Sequence, residues 1–354
     1  MADLDRLLRY LQEKGGSDLH LAAGMEPRVR MRGELEPVPG WGVLDDAAVR
    51  ALLQPVAAER HWREWVETHD VDFAYGLEGV ARFRANYFEQ QHGAAAVFRM
   101  IPEQVVSLDA LALPPAIARL AELRGGLVLV TGPTGSGKST TLAAVIDKIN
   151  RESSRHIVTI EDPVEFVHAN VCSVLSHREV GQHTRSFADA LRGAVRQDAD
   201  VVLVGEMRDR ETISMALAAA EMGLLVFGTL HTSGAAKTID RIVDAFPASE
   251  QGQVRLGLSE SLAAVISQLL LPSKDGRGRV AVNEIMLRTP GLANLVREGN
   301  TPMLHSLIQS GRKDGMQTMD DALFALVQAG RIDPREAWRK AHDKTRFESF
   351  APND

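Results

Sequence analysis

The sequence predicts an α/β protein of two domains: an α+β module, then a parallel sheet covered by helices on both faces, with a helical tail. Three observations carry this. The chain has 354 residues, more than a single hydrophobic core usually organises. Its apolar pattern changes near Gly125, from short alternating stretches to solid apolar runs separated by helical patterns. The first solid run opens into Gly132-Pro133-Thr134-Gly135-Ser136-Gly137-Lys138-Ser139, a glycine-rich loop of a kind that joins a buried strand to a helix.

Leu4, Leu7, Leu8 and Leu11 fall at i, i+3, i+4 and i+7, so residues 3–14 read as an amphipathic helix stopped by Gly15-Gly16. Residues 17–21 and 27–38, with a turn near Gly33, read as a strand and a hairpin. Helical stretches at 45–53 and 57–67 precede strands over 70–101. Pro102, Pro114 and Pro115 punctuate the next segment. The first domain is therefore set at 1–103, a linker at 104–120, a core at 121–289 and a C-terminal helical region at 290–354. Within the core, the runs 126–131, 156–160, 200–204 and 224–230 are mostly apolar rather than alternating and are separated by turns and helices. That is the pattern of parallel strands buried on both faces.

Composition narrows the function classes. A 45% hydrophobic and 25% charged chain is ordinary for a globular protein, and no run approaches the roughly 18 apolar residues of a membrane span. The start, Met1-Ala2-Asp3-Leu4-Asp5, is acidic where a secretory signal is basic, so the expectation is a protein that stays in the compartment where it is made. Cys172 stands alone, which excludes an intrachain disulfide or a cysteine-rich zinc site, and it reads as a small buried apolar residue. The net charge of −7 and 5% aromatics do not suit a protein that grips nucleic acid through phosphates and stacked bases.

Gly132, Pro133, Thr134, Gly135, Ser136, Gly137, Lys138, Ser139 and Thr140 form the expected nucleotide site. Backbone amides at the turn and helix start favour an anion. Lys138 is set to reach the β- and γ-phosphates, and Ser139 offers a hydroxyl to Mg²⁺. The expectation is a P-loop enzyme that hydrolyses ATP.

Acidic groups come next at strand ends, the edge that faces the ligand crevice of such a sheet. Glu161, Asp162 and Glu165 lie just after the second run; carboxylates there hold Mg²⁺ through waters, polarise an attacking water, or cap the next turn. Gly205-Glu206 closes the third run. Glu206 is the candidate general base, its alternative being a cap for the helix beginning near Asp209. His231 closes the fourth run, and by position alone it either senses a phosphate or orients water, or is simply a polar residue satisfied by neighbours.

Together the loop, Glu161-Asp162-Pro163-Val164-Glu165, Gly205-Glu206 and Thr229-Leu230-His231-Thr232 resemble the secretion ATPase superfamily. Gly16-Ser17-Asp18-Leu19-His20-Leu21, Arg178-Glu179-Val180-Gly181, Arg196-Gln197-Asp198 and Gly315-Met316-Gln317-Thr318-Met319-Asp320 extend the resemblance, over nearly the whole chain, to its type IV pilus retraction branch. The resemblance implies a PAS-like N-terminal domain and a RecA-like ATPase domain, with ATP and Mg²⁺ bound between them. It implies a cytoplasmic homohexamer docked at the cytoplasmic face of the inner membrane and peripheral to it. The implied partners are the inner-membrane platform protein, the pilus base and an accessory retraction ATPase, with no direct nucleic acid. On this resemblance Lys138 and Ser139 serve phosphate and Mg²⁺, Glu161 and Asp162 the metal, and Glu206, His231 and Glu165 catalysis.

Members of this family also close N-terminal arginines on the phosphates. In Val80-Ala81-Arg82-Phe83-Arg84-Ala85-Asn86-Tyr87, alternation puts Arg82, Arg84 and Asn86 on one face and Phe83 and Tyr87 on the other. A solvated polar face has the same spacing. Arg84 and Arg99 are the candidates, with Arg196 and Arg241 behind them. Three departures from the family pattern stand out: Ala293 in Gly291-Leu292-Ala293-Asn294-Leu295-Val296-Arg297-Glu298 where an arginine is usual, Ala199 in place of proline, and Leu224 in place of histidine. Extension and secretion ATPases often carry a four-cysteine module and a longer N-terminal extension, so one cysteine and a compact first domain favour retraction.

Overall fold

The computed structural model describes residues 3–31, 33–101, 105–276 and 278–351. The chain divides into two compact units, Met1–Gln104 with Pro163–Val167, and Val105–Asp162 with His168–Asp354. Pro102 and the expected boundary at 103–104 lie outside the described residues.

The first unit contains α1 (Asp3–Glu13), β1 (Asp18–Ala22), β2 (Arg28–Met31), β3 (Glu34–Pro37), α2 (Asp46–Leu53), α3 (Glu59–Thr68), β4 (Asp70–Leu77), β5 (Ala81–Gln90) and β6 (Gly93–Ile101). Its six strands form one sheet in the order β3-β2-β1-β6-β5-β4, every pairing antiparallel. Leu4, Leu7, Leu8 and Leu11 of α1 are fully buried, as their spacing requires. They share a core with Trp65, Phe73, Phe83, Tyr87 and Phe98. Tyr87 is the hub, with the rings of Trp65, Phe73 and Phe98 edge-on to it at 5.6, 5.0 and 5.8 Å. Alternation along β5 buries Phe83, Ala85 and Tyr87 and leaves Arg84 exposed, with Arg82 and Asn86 half-buried beside it.

The second unit contains α4 (Pro115–Ala118), β7 (Gly126–Thr131), α5 (Lys138–Glu152), β8 (His156–Glu161), β9 (Val174–Glu179), α6 (Phe187–Arg196), β10 (Val201–Val204), α7 (Arg210–Glu221), β11 (Leu225–Leu230), α8 (Ala235–Asp244), α9 (Ala248–Ser261), β12 (Leu262–Pro272), β13 (Arg279–Leu287), α10 (Pro290–Glu298), α11 (Leu304–Ser310), α12 (Met319–Gln328) and α13 (Pro334–Lys340). Its seven strands run in the order β13-β12-β7-β11-β10-β8-β9. All neighbours are parallel except β12 and β13.

The solid apolar runs have a direct cause. Leu127, Leu129, Val158, Ile160, Val202, Val204 and Val226 join a core with α6 to α9. The intervening Val128, Val130, Ile157, Val201, Leu203, Leu225 and Phe227 join a second core with α5 and residues 108–121. With both faces dry, neither set of alternate positions can be polar. Three strands of this sheet, β9, β12 and β13, are not among the expected runs. The segment expected as a linker is packed in the second core, where Leu108, Ile117 and Leu120 are buried. Cys172 corrects a further expectation: it is exposed. It lies in the connection between β8 and β9, where its backbone N–H is given to Asn150 O at 2.9 Å and its thiol to Arg151 O at 3.1 Å.

Asp209 is the N-cap of α7, accepting from Thr212 N at 2.8 Å and Thr212 Oγ1 at 2.7 Å. Replacing an N-cap aspartate by alanine removes about 1 kcal/mol. Asp209→Ala is expected to lower unfolding free energy by about that amount in urea titrations at pH 7.

Candidate active site

Strand register assembles this region. Leu230 of β11 pairs with Thr131 of β7, and Val204 of β10 pairs with Gly228 of β11 and Ile160 of β8. The phosphate loop, His231, Gly205-Glu206 and Glu161-Asp162 therefore leave one sheet edge side by side. Backbone bonds continue past the strands, from Gly132 N to Leu230 O at 3.3 Å and Gly205 N to Ile160 O at 2.8 Å.

The loop is shaped by its glycines. Gly132 has φ 142 and Gly137, the N-cap of α5, has φ 84. A Cβ on Gly132 would lie 2.2 Å from Gln268 O, so no side chain fits there. Lys138 Nζ donates to the carbonyls of Gly132 at 2.9 Å and Pro133 at 3.1 Å. Ser136 Oγ is buried and has no hydrogen-bond partner among the described residues. No side chain caps α5, so its N-terminus keeps its affinity for an anion. An unsatisfied hydroxyl and an ammonium folded onto its own loop fit a site built for phosphate oxygens.

Glu206 is mostly buried, and it is not a helix cap, since Asp209 holds that position on α7. His231 Nε2 lies 2.9 Å from Glu206 Oε1, and Arg208 Nη2 lies 2.7 Å from Glu206 Oε2. Burial alone would raise the Glu206 carboxyl. The Arg208 guanidinium outweighs it by hydrogen bond and charge, with His231 adding to it, and holds the group below its ordinary 4.5. The carboxylate is thus ionised at neutral pH. Asp162 also acts through its charge on Arg208, so one guanidinium links two acidic strand ends. Glu161 is buried at the end of β8 and Asp162 is exposed.

The loop carrying His231 is fixed from strands that the sequence pattern does not reveal. Gly234 N donates to Ser267 Oγ of β12 at 2.8 Å, and Ala235 N, at the start of α8, donates to Glu284 Oε1 of β13 at 2.7 Å. Arg208 escapes sequence reasoning because it is an exposed arginine in the irregular connection between β10 and α7, with exposed Arg210 close by; its only signal is its place two residues after Glu206.

Glu165 lies in Pro163–Val167, the segment grouped with the first unit. Arg84 and Arg99 belong to the first unit too. Arg84 Nε contacts both Asp72 oxygens, at 2.8 and 3.1 Å, and Arg99 Nε contacts Asp18 Oδ1 at 2.9 Å. Asp18 also accepts from Ser17, and these bonds hold its carboxyl below the usual range despite its burial. Arg196 and Arg241 are exposed, on α6 and α8.

The description "Type II/IV secretion system protein" matches residues 69–277. The chain belongs to this family. Among secretion-family relatives, the "Type IV pilus retractation ATPase PilT" of Pseudomonas aeruginosa is 49% identical over 339 residues, 96% of this chain and 98% of that protein. The "Type IV pilus ATPase PilU" of the same organism is 40% identical over 335 residues, 95% of this chain and 87% of that protein. A crystal structure of the pilus retraction motor PilT with bound ADP superposes with a TM-score of 0.91 at 44% identity, covering 99% of both chains. The PAS-like plus RecA-like architecture implied by the sequence motifs agrees with that secretion-family fold.

The Glu206 ion pairs give a pH signature. A carboxyl depressed in the folded state contributes stability above its unfolded pKa and loses it as pH falls through the folded value. Urea titrations of wild type and Arg208→Ala are expected to differ at pH 7 and to converge as pH drops below about 4.5. A difference independent of pH would show that Arg208 does not hold the carboxylate.

Proposed function

We propose that this chain is the ATP-hydrolysing subunit of a motor that powers type IV pilus retraction. The observation that carries it is the 2.9 Å contact of Glu206 with His231 on strand ends beside the phosphate loop. It occurs in a chain 49% identical, over 96% of its length, to a protein named as a pilus retraction ATPase. Identity to the relative named PilU is lower, at 40%, which favours a primary over an accessory retraction motor.

In this reading Lys138 leaves the Gly132 and Pro133 carbonyls for the β- and γ-phosphates, while loop amides and Ser136 Oγ take phosphate oxygens. Mg²⁺ held with the nucleotide would neutralise charge on the β- and γ-oxygens. Ser139, Glu161 and Asp162 offer the hard oxygen ligands it takes, directly or through water. Among the described residues no group of three or more His, Cys, Asp or Glu is gathered to hold a metal by itself.

Glu206, kept ionised by Arg208, orients the attacking water and takes its proton. His231 connects this base to the phosphate. His231 Nε2 faces Glu206, so turning it to a γ-phosphate oxygen would release the carboxylate as nucleotide arrives. Glu165 is assigned a supporting acidic role. Arg84 and Arg99 would exchange Asp72 and Asp18 for phosphate oxygens when the ring closes, the step that ties chemistry to movement.

The working assembly is a homohexamer at the cytoplasmic face of the inner membrane, where the platform protein and pilus base would receive its movement. Among the described residues no helix is long and apolar enough to cross a membrane.

Glu206→Gln is expected to cut kcat by about 10²- to 10⁴-fold while leaving ATP affinity near wild type. Undiminished turnover would remove Glu206 from its role. In cells, deletion of the gene is expected to leave surplus, non-retracting pili and abolish twitching, and the Glu206→Gln form should not restore it. Bald cells would indicate extension rather than retraction.

A further inference from the structure

One residue from a strand outside the loop touches both ends of the phosphate cradle, one through its side chain and the other through its backbone carbonyl. Gln268 lies near the middle of β12, only 1% exposed. Its Oε1 accepts two hydrogen bonds at 2.9 Å, from Thr141 Oγ1 on α5 and from Asn283 Nδ2 on β13. Its Nε2 donates to Ser136 O at 2.7 Å.

The Ser136 carbonyl, which can only accept, fixes which way the amide faces. A flipped amide would set its oxygen against that carbonyl in a dry site, whereas with the amide as it stands Oε1 takes the Thr141 and Asn283 donors. Because the peptide is planar and trans, the carbonyl of Ser136 and the N–H of Gly137 point in opposite directions. Holding the carbonyl against β12 turns the Gly137 N–H away from β12. The other end of the loop is set by the same residue, since the backbone carbonyl of Gln268 lies so close to Gly132 that a Cβ there would approach it to 2.2 Å. A Cβ on Gly137 would in turn meet Gln268 Nε2 at 3.0 Å.

We propose that Gln268 is a positioning residue that presets the phosphate loop, fixing through Ser136 and Gly132 the backbone donors that receive nucleotide phosphates. The proposal rests on the nucleotide reading of the loop. It assigns Gln268 no contact with the reacting atoms.

The test is calorimetric titration of ADP and of adenosine into full-length wild type, Gln268→Met, Gln268→Glu, Thr141→Val and Lys138→Ala. Gln268→Met keeps the length of the side chain and removes all three bonds; Gln268→Glu keeps acceptors for Thr141 and Asn283 but cannot donate to Ser136 as a carboxylate. Both are expected to weaken ADP binding by about 10- to 100-fold, as for loss of a buried hydrogen bond that leaves its partner unpaired. Adenosine, which lacks phosphates, should bind each variant as it binds wild type. Thr141→Val, which removes one donor to Oε1 and spares the bond to Ser136, should lose roughly two- to fivefold. It keeps the test open if the Gln268 variants fail to fold, and wild-type ADP affinity there would overturn the proposal. Equal ADP affinity in wild type and both Gln268 variants, with binding still lost in Lys138→Ala, would also overturn it while leaving the nucleotide reading intact. Equal losses for ADP and adenosine would show a merely structural role. ADP affinity unaffected by Lys138→Ala would overturn the nucleotide reading and the clamp together.

Discussion

The parallel register of β8, β10, β11 and β7 is the constraint on which the rest of the molecule depends. Pairing Ile160 with Val204, Val204 with Gly228 and Leu230 with Thr131 brings four strands to an end at one edge. The residues at and just beyond each strand end are delivered there together. Glu161, Glu206, His231 and the loop from Gly132 are those residues. The register is secured by a sheet buried on both faces, where a shift would draw the polar residues at the strand ends toward the core and leave backbone groups unpaired. Chemistry at the edge thus depends on packing well below it.

A second layer of support comes from the other side of β7. β12 and β13 supply Gln268 to the phosphate loop, and Ser267 and Glu284 to the segment after His231. Asn283, which donates to Gln268, receives Gln317 Nε2 on its own carbonyl at 2.7 Å, and Ile285 and Gln317 exchange backbone bonds at 2.9 and 3.1 Å. The Gly315 to Asp320 motif is therefore joined by hydrogen bonds to the strand beside the loop, not appended to the ATPase core. Thr318 of that motif caps α12, and Asp320 accepts from His342 N and Asp343 N. The C-terminal helices are fastened at the point where β13 meets the polar network.

Much of this is legible in the sequence, and the physical reasons are specific. The leucine spacing in α1 and the alternation in β5 report one-sided burial, and the four solid runs report two-sided burial. The strand ends bearing Glu161, Glu206 and His231 lie where those runs stop. The features that escape are set by partners distant in the chain. β9 is an edge strand, Val174-Leu175-Ser176-His177-Arg178-Glu179, whose polar composition hides its pairing with β8. β12 carries Ser267 and Gln268 amid apolar residues, and nothing local tells a strand from a buried helix there. Their polar atoms are satisfied by residues as far away as Gly234, Thr141 and Asn283. Apart from its place two residues after Glu206, Arg208 gives no signal, because its importance lies in the charge of Glu206. Cys172 departs from expectation because residue type predicts burial only on average, and it sits in an exposed connection.

The central claim is that the loop after β7 receives phosphates and that Glu206 stands beside them. A cryo-EM map of the assembled protein with a non-hydrolysable ATP analogue and Mg²⁺ tests it most directly. The expected map shows Lys138 Nζ released from the Gly132 and Pro133 carbonyls and bonded to β- and γ-phosphate oxygens, with Glu206 within reach of a water in line with the γ-phosphate. A nucleotide bound elsewhere, with Lys138 still on those carbonyls, would contradict it.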